Sequence, residues 1–145
     1  MTRLTLFARL AGTAIAVDAA EVEAVVRLTD IAPVPGMGPH VAGLAALRSR
    51  VLTIVDPAAL IHGAPMAAEL RGLAIIANIG GHSYGLLIES VSDIVTVPEG
   101  PLPLRGQLDA AWAPYARAMV EQDGEPCLLV SLAGFIDAGA ALQPA

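Results

Sequence analysis

The chain has 145 residues, a common length for one domain and enough to bury a core without disulfides or metals. Apolar residues make up 55% and charged residues 15%, which excludes disorder. The net charge of −6, with 14 acids against 8 bases, all of them arginine, argues against nucleic acid, whose phosphates demand clustered cations.

The elements, taken in chain order, are mostly short β segments. Leu4 to Leu10 alternates loosely, Ala11 to Thr13 turns, and Ile15 to Val17 returns, which predicts a hairpin. Asp18 can cap a helix over Ala19–Val26, with Val22, Val25 and Val26 on one face. Prolines and glycines make Ile31–His40 a loop. Val41–Leu44 reads as an apolar turn and Val51–Val55 as a buried strand stopped by Asp56 and Pro57, with one helical turn at Ala58–Ile61. Leu73–Ile79 and Tyr84–Ile88 predict a hairpin about Gly80–Ser83, succeeded by a strand at Val91–Val97 and a loop at Pro98–Pro103. Asp109–Arg117 suggests a helical turn carrying Trp112 and Tyr115. Ala118–Gln122 and Cys127–Leu132 make a last hairpin about Asp123 and Gly124, and Ala133–Ala138 a terminal helix. The strands fall into two blocks that meet near residues 62–70 of one domain, 1–145, and their spacing with glycine turns suggests small barrels.

Arg48 and Arg50 lie between apolar blocks, where an arginine must reach water or find a fixed carboxylate. Residues Gly81–Gly85 fit G-x-S-x-G, the nucleophile elbow of serine hydrolases, with Ser83 as nucleophile. The elbow needs a helix directly after it, but Leu86–Val95 reads as β, and none of His40, His62 and His82 comes after Ser83. A glycine turn explains the motif better. The three histidines lack metal-ligand spacing, and no cofactor fingerprint is present. Cys127, alone and set among apolar residues, reads as a buried thiol. The longest charge-free stretches, Ile31–Leu47 and Gly72–Ile88, are broken by prolines and by a glycine turn, so no membrane insertion is expected. Arg9 and Asp18 spoil a signal peptide, which leaves the cytoplasm as the expected compartment.

Six segments in order then resemble the CheW-like domain family, the coupling proteins of bacterial chemotaxis, over about residues 4 to 138. They are Leu6–Leu10 with Ile15–Val17, Glu21–Val25, Ile31–Pro35, Val41–Asp56, Tyr84–Ile94 and Leu128–Leu132. Val41–Asp56 is similar to the family's hallmark G-x-x-N-L-R-G-x-x-x-P-V-x-D-L, and Glu21–Val25 to its V-x-E-[VI] helix. The resemblance implies a mostly β fold of two five-stranded SH3-like barrels packed around one hydrophobic core, with short helices. It implies a non-enzymatic adaptor that holds a CheA-type histidine kinase's regulatory domain and a chemoreceptor's helical hairpin tip. A related scaffold for pilus motility or developmental signalling is the alternative.

The chain departs from the family at several positions: Ala46 stands for the hallmark Asn, Ser49 for the Gly after Arg48, Thr53 for the strand Pro, Ala24 for the helix Glu and Glu89 for the Asp of the V-D pair. With Ala24 in place of the Glu, Glu23 or Asp93 remains as a partner for Arg48. A groove between two barrels can take a helix through apolar anchors. Val22, Val25, Leu44 and Leu47 are the candidate lining, with Arg48 beside them, although the valines would serve a core equally well.

Overall fold

The structure, a computed structural model, describes residues 2–33, 40–67, 72–98 and 112–136. Among these residues, ten strands form two five-stranded sheets, joined by short helical turns.

The first sheet has the order β8-β1-β2-β10-β9 and draws on both ends of the chain. β1 (Thr2–Leu10) and β2 (Thr13–Asp18) form the opening hairpin, with Leu10 opposite Thr13. β8 (Ser90–Pro98) runs antiparallel along the other edge of β1. β9 (Ala116–Gln122) and β10 (Glu125–Val130) make the closing hairpin, and β10 meets β2 in parallel at Leu128 and Ile15. Residues 132–136 are helical.

The second sheet, β3-β6-β7-β5-β4, is one continuous stretch of chain inserted between β2 and β8. Its strands are β3 (Ala24–Arg27), β4 (Val41–Leu47), β5 (Arg50–Val55), β6 (Leu73–Ile79) and β7 (His82–Ile88). The chain crosses between sheets after Asp18 and again at Glu89, whose N–H donates to Arg9 O at 2.8 Å. Of the stretch 62–70, residues 62–67 lie between β5 and β6 of the second sheet, and 68–70 fall outside the described residues.

Two local expectations change. Asp18 does cap a helical turn, accepting from Ala20 N–H at 3.0 Å, but that turn is 3-10 and ends at Glu21. The chain then extends into β3, where Val25 and Val26 face opposite sides of a sheet. A run this short cannot separate the two periods, and β-branched residues favour the strand once a neighbour is there to pair. Likewise Val41–Leu44 is not a turn but the start of β4, and the reversal falls later, at Arg48 and Ser49. The β6–β7 hairpin turns on Gly80 and Gly81, both at positive φ, 60° and 84°, which the tight turn between twisted strands requires.

α1 (Pro57–His62) starts within a residue of the helical turn expected at Ala58–Ile61. Buried Asp56 caps it through Ala58 N–H at 3.0 Å and also accepts Met66 N–H at 2.8 Å. One apolar core spans both sheets, with Leu6, Leu10 and Ile15 from the first meeting Leu52, Ile54, Ile75, Ile76 and Leu87 from the second. Tyr115 stacks on Phe135 at 4.1 Å and Trp112 meets the same ring edge-on, sealing the core's C-terminal side. The other face of the first sheet holds a small cluster of Phe7, Ala16 and Cys127. Burial there, and then the charge of Glu125, push the Cys127 thiol above its ordinary pKa, which suits a structural thiol.

Candidate docking surfaces

The β4–β5 hairpin separates the two arginines that the sequence sets close together. Leu47 pairs with Arg50, leaving Arg48 and Ser49 as the turn. Arg48 sits at φ 56°, a conformation that is strained for a side chain with a Cβ. It is exposed, and among the described residues it makes no hydrogen bond or ion pair. Arg50 is held instead. Its guanidinium grips Glu23 with both Nη atoms, Nη1 to Oε1 at 3.0 Å, and Nη1 also donates to Ser83 Oγ at 3.3 Å. Glu23, one of the two carboxylates expected to serve Arg48, thus serves Arg50. That hydrogen bonding holds the Glu23 carboxyl below its usual range and raises Arg50 above its own. Asp93 accepts the N–H of its neighbour Ile94.

The faces of β4 alternate. Gly43 and Ala45 turn inward and Leu47 packs against the core, while Leu44 and Ala46 face out. Leu44 is 38% exposed, and Val51, across from Ala46, is 64% exposed. The chain beyond β3 reaches this edge through a bridge between Ala32 and Leu44, with both backbone hydrogen bonds made at 2.8 and 2.9 Å. A Cβ on Gly43 would lie 2.2 Å from Ala32 O, so this close approach requires glycine.

A groove of about 500 Å³ opens between the two sheets. Val25 and Arg27 of β3 and Leu73 of β6 form one wall, and Val91 and Ile94 of β8 the other. A bulge makes the second wall possible. Phe7 pairs with Asp93 and Ala8 with Val91, so Ser92 is the extra residue and Val91 and Ile94 turn the same way. Ile94 is 54% exposed. Leu4, diagonal to it on β1, is 50% exposed and continues the apolar strip. Glu89 at the rim is drawn toward the first hairpin, where its carboxylate accepts Gly12 N–H.

Of the five residues singled out by sequence, Val25 lines this groove, and Val22, just before β3, packs half-buried against the core. Leu44, Leu47 and Arg48 belong to β4 and its turn, at the opposite end of the sheet order. Of the five, the groove lining holds Val25, while Leu47 lies across from Arg50, whose guanidinium holds Glu23 next to Val22. Sequence reasoning missed Arg27, Leu73, Val91 and Ile94, which were visible only as strand residues, because the bulge and the inter-sheet approach leave no local pattern.

The G-x-S-x-G segment spans the β6–β7 turn and β7, and the chain runs on into β8 with no helix directly after Ser83. The histidines are dispersed: His40, just before β4, is buried and among the described residues neither ring nitrogen has a hydrogen-bond partner, His62 ends α1 with Nε2 2.9 Å from Ala11 O, and His82 opens β7. Among the described residues no group of three or more His, Cys, Asp or Glu could hold a metal, and no helix is long and apolar enough to cross a membrane.

The CheW-like domain model matches residues 5–140. Two proteins named chemotaxis protein CheW are similar to this chain. That of Rhizobium meliloti (strain 1021) is 30% identical over 105 residues, 72% of this chain and 68% of the relative. That of Thermotoga maritima is 25% identical over 124 residues, 86% of this chain and 81% of the relative. In fold, the chain matches the crystal structure of scaffolding protein TtCheW from Thermoanaerobacter tengcongensis with a TM-score of 0.78 at 17% identity, covering 91% of this chain and 86% of the other. With nearly its whole length inside the family match, this chain belongs to the CheW-like domain family.

Proposed function

We propose that this protein is a non-enzymatic cytoplasmic adaptor that couples chemoreceptors to a CheA-type histidine kinase. The receptor's helical hairpin tip docks in the groove between the sheets, and the kinase's homologous regulatory domain binds elsewhere on the sheet surfaces. The carrying observation is the groove itself, walled by both sheets, with apolar Val25, Leu73, Val91 and Ile94 left uncovered enough to accept the apolar face of a helix. Val22 supports the Val25 wall from the core side. Leu44 and Arg48, with Leu47 anchoring their hairpin, offer the second contact surface, where a free cation borders exposed Val51.

The test is binding of the purified protein to a receptor hairpin fragment and to the kinase regulatory domain, measured by calorimetry. Both bind the wild type. Val25→Glu weakens receptor binding by tenfold or more, with the circular dichroism spectrum unchanged. A wild-type protein that binds neither partner overturns the reading.

A further inference from the structure

Resting on that docking reading, we propose that Arg27 selects the groove's occupant, admitting an amphipathic helix only where it presents a carboxylate beside its apolar anchors. Among the described residues, Arg27 is the one cation of the groove lining. It lies across from Leu73 in the β3–β6 ladder, so its side chain leaves the sheet on the same side as Leu73 and Val25. It is exposed and, among the described residues, has neither hydrogen bond nor ion pair. Glu89 at the same rim is turned to Gly12 N–H, so among the described residues no carboxylate of the lining pairs with Arg27.

A helix laid in the groove against Val91 and Ile94 would bring apolar surface over Arg27 on the facing wall. A guanidinium partly stripped of water without a partner is unfavourable, whereas a carboxylate on the helix can take it in a bidentate pair. The apolar strip supplies affinity, and the arginine rejects helices that lack the acid.

The experiment uses the full chain and the receptor hairpin fragment. Arg27→Glu weakens binding at least tenfold and Arg27→Gln less, while both variants melt with the wild type, as an exposed strand residue should. Reversing one acidic residue at the edge of the fragment's apolar face to Lys weakens binding to the wild type and restores it to Arg27→Glu. Wild-type affinity falls with ionic strength more steeply than that of Arg27→Gln. If the wild type binds and Val25→Glu does not, yet Arg27→Glu binds like the wild type, the selection by Arg27 is refuted and the docking stands. Weakening by Arg27→Glu that no single acid reversal rescues also refutes it. A fragment that does not bind the wild type at all removes the docking reading and this inference together.

Discussion

The two sheets have the same number of strands and are built in opposite ways. The second is one contiguous stretch of chain, in which two of the four pairings, the β4–β5 and β6–β7 hairpins, join strands adjacent in sequence. The first is assembled from the two ends, β1 and β2 meeting β8 and β10 across the whole insertion. Their burial does not differ in kind: each buries apolar residues on both faces, Leu6 and Phe7 in the first and Ile75 and Ile76 in the second, and each leaves some uncovered, Leu4 and Ile94 in the first and Leu44 and Val51 in the second. Because one apolar core joins them and the first sheet must close across the whole insertion, the two are expected to unfold together despite their separate ladders.

That unity can be attacked most strongly at the shared core. Ile75 is fully buried, on the face of β6 that looks away from Ala74 and Ile76. Ile75→Ala is expected to cost about 2–5 kcal/mol through lost burial and the cavity left behind. Denaturant melts read by far-ultraviolet circular dichroism and by Trp112 fluorescence, which reports from the C-terminal side of the core, should shift together. Two separated transitions would show that the sheets fold independently.

A smaller effect is expected at the second sheet's own edge. Gly43→Ala drives a Cβ into Ala32 O, at a residue whose φ of 147° is already awkward for a side chain. The combined clash and backbone strain should cost on the order of 3 kcal/mol. If the edge link is local, amide exchange speeds up at Leu44 and Ala32 while β1 and β2 keep their protection. Uniform loss across both sheets would mean that the bridge between Ala32 and Leu44 matters to the whole fold.

The same contrast explains what the sequence could reveal. Hairpins are legible because a turn and two alternating runs lie within one short stretch: Leu73–Ile79 is β6 to the residue, and the Asp123–Gly124 reversal joins β9 to β10. Asp56 is legible as a strand stop and as the residue before a helical turn. The partition of strands between sheets is not, because no local feature says that β8 returns to β1. β3 reads as helix from sequence because Val22, Val25 and Val26 have helical spacing by accident of length. The groove is half legible: the family motif leads to Val25, whereas the opposite wall depends on a bulge at Ser92 that has no glycine or proline to announce it. The family motif also leads to Arg48, and only coordinates show that the nearby Arg50 takes the carboxylate.

The smallest expected effect sharpens that last distinction. The Arg50–Glu23 pair closes the end of the second sheet near Ser83 and is open to solvent, so its worth is best read by titration rather than by melting. A glutamate whose folded pKa lies below its unfolded value, about 4.3 when unperturbed, contributes stability that is complete above the unfolded value. That contribution is lost as the pH falls through the folded one. The Glu23 side-chain resonance should therefore titrate at lower pH than an unperturbed glutamate, and Arg50→Ala should bring its midpoint back up. Arg48→Ala should leave it where it is, because Arg48 stands apart with its charge facing solvent. If instead Arg48→Ala moves Glu23 and Arg50→Ala does not, the two arginines have exchanged roles in solution, and the free cation at the hairpin turn would no longer be available to a partner.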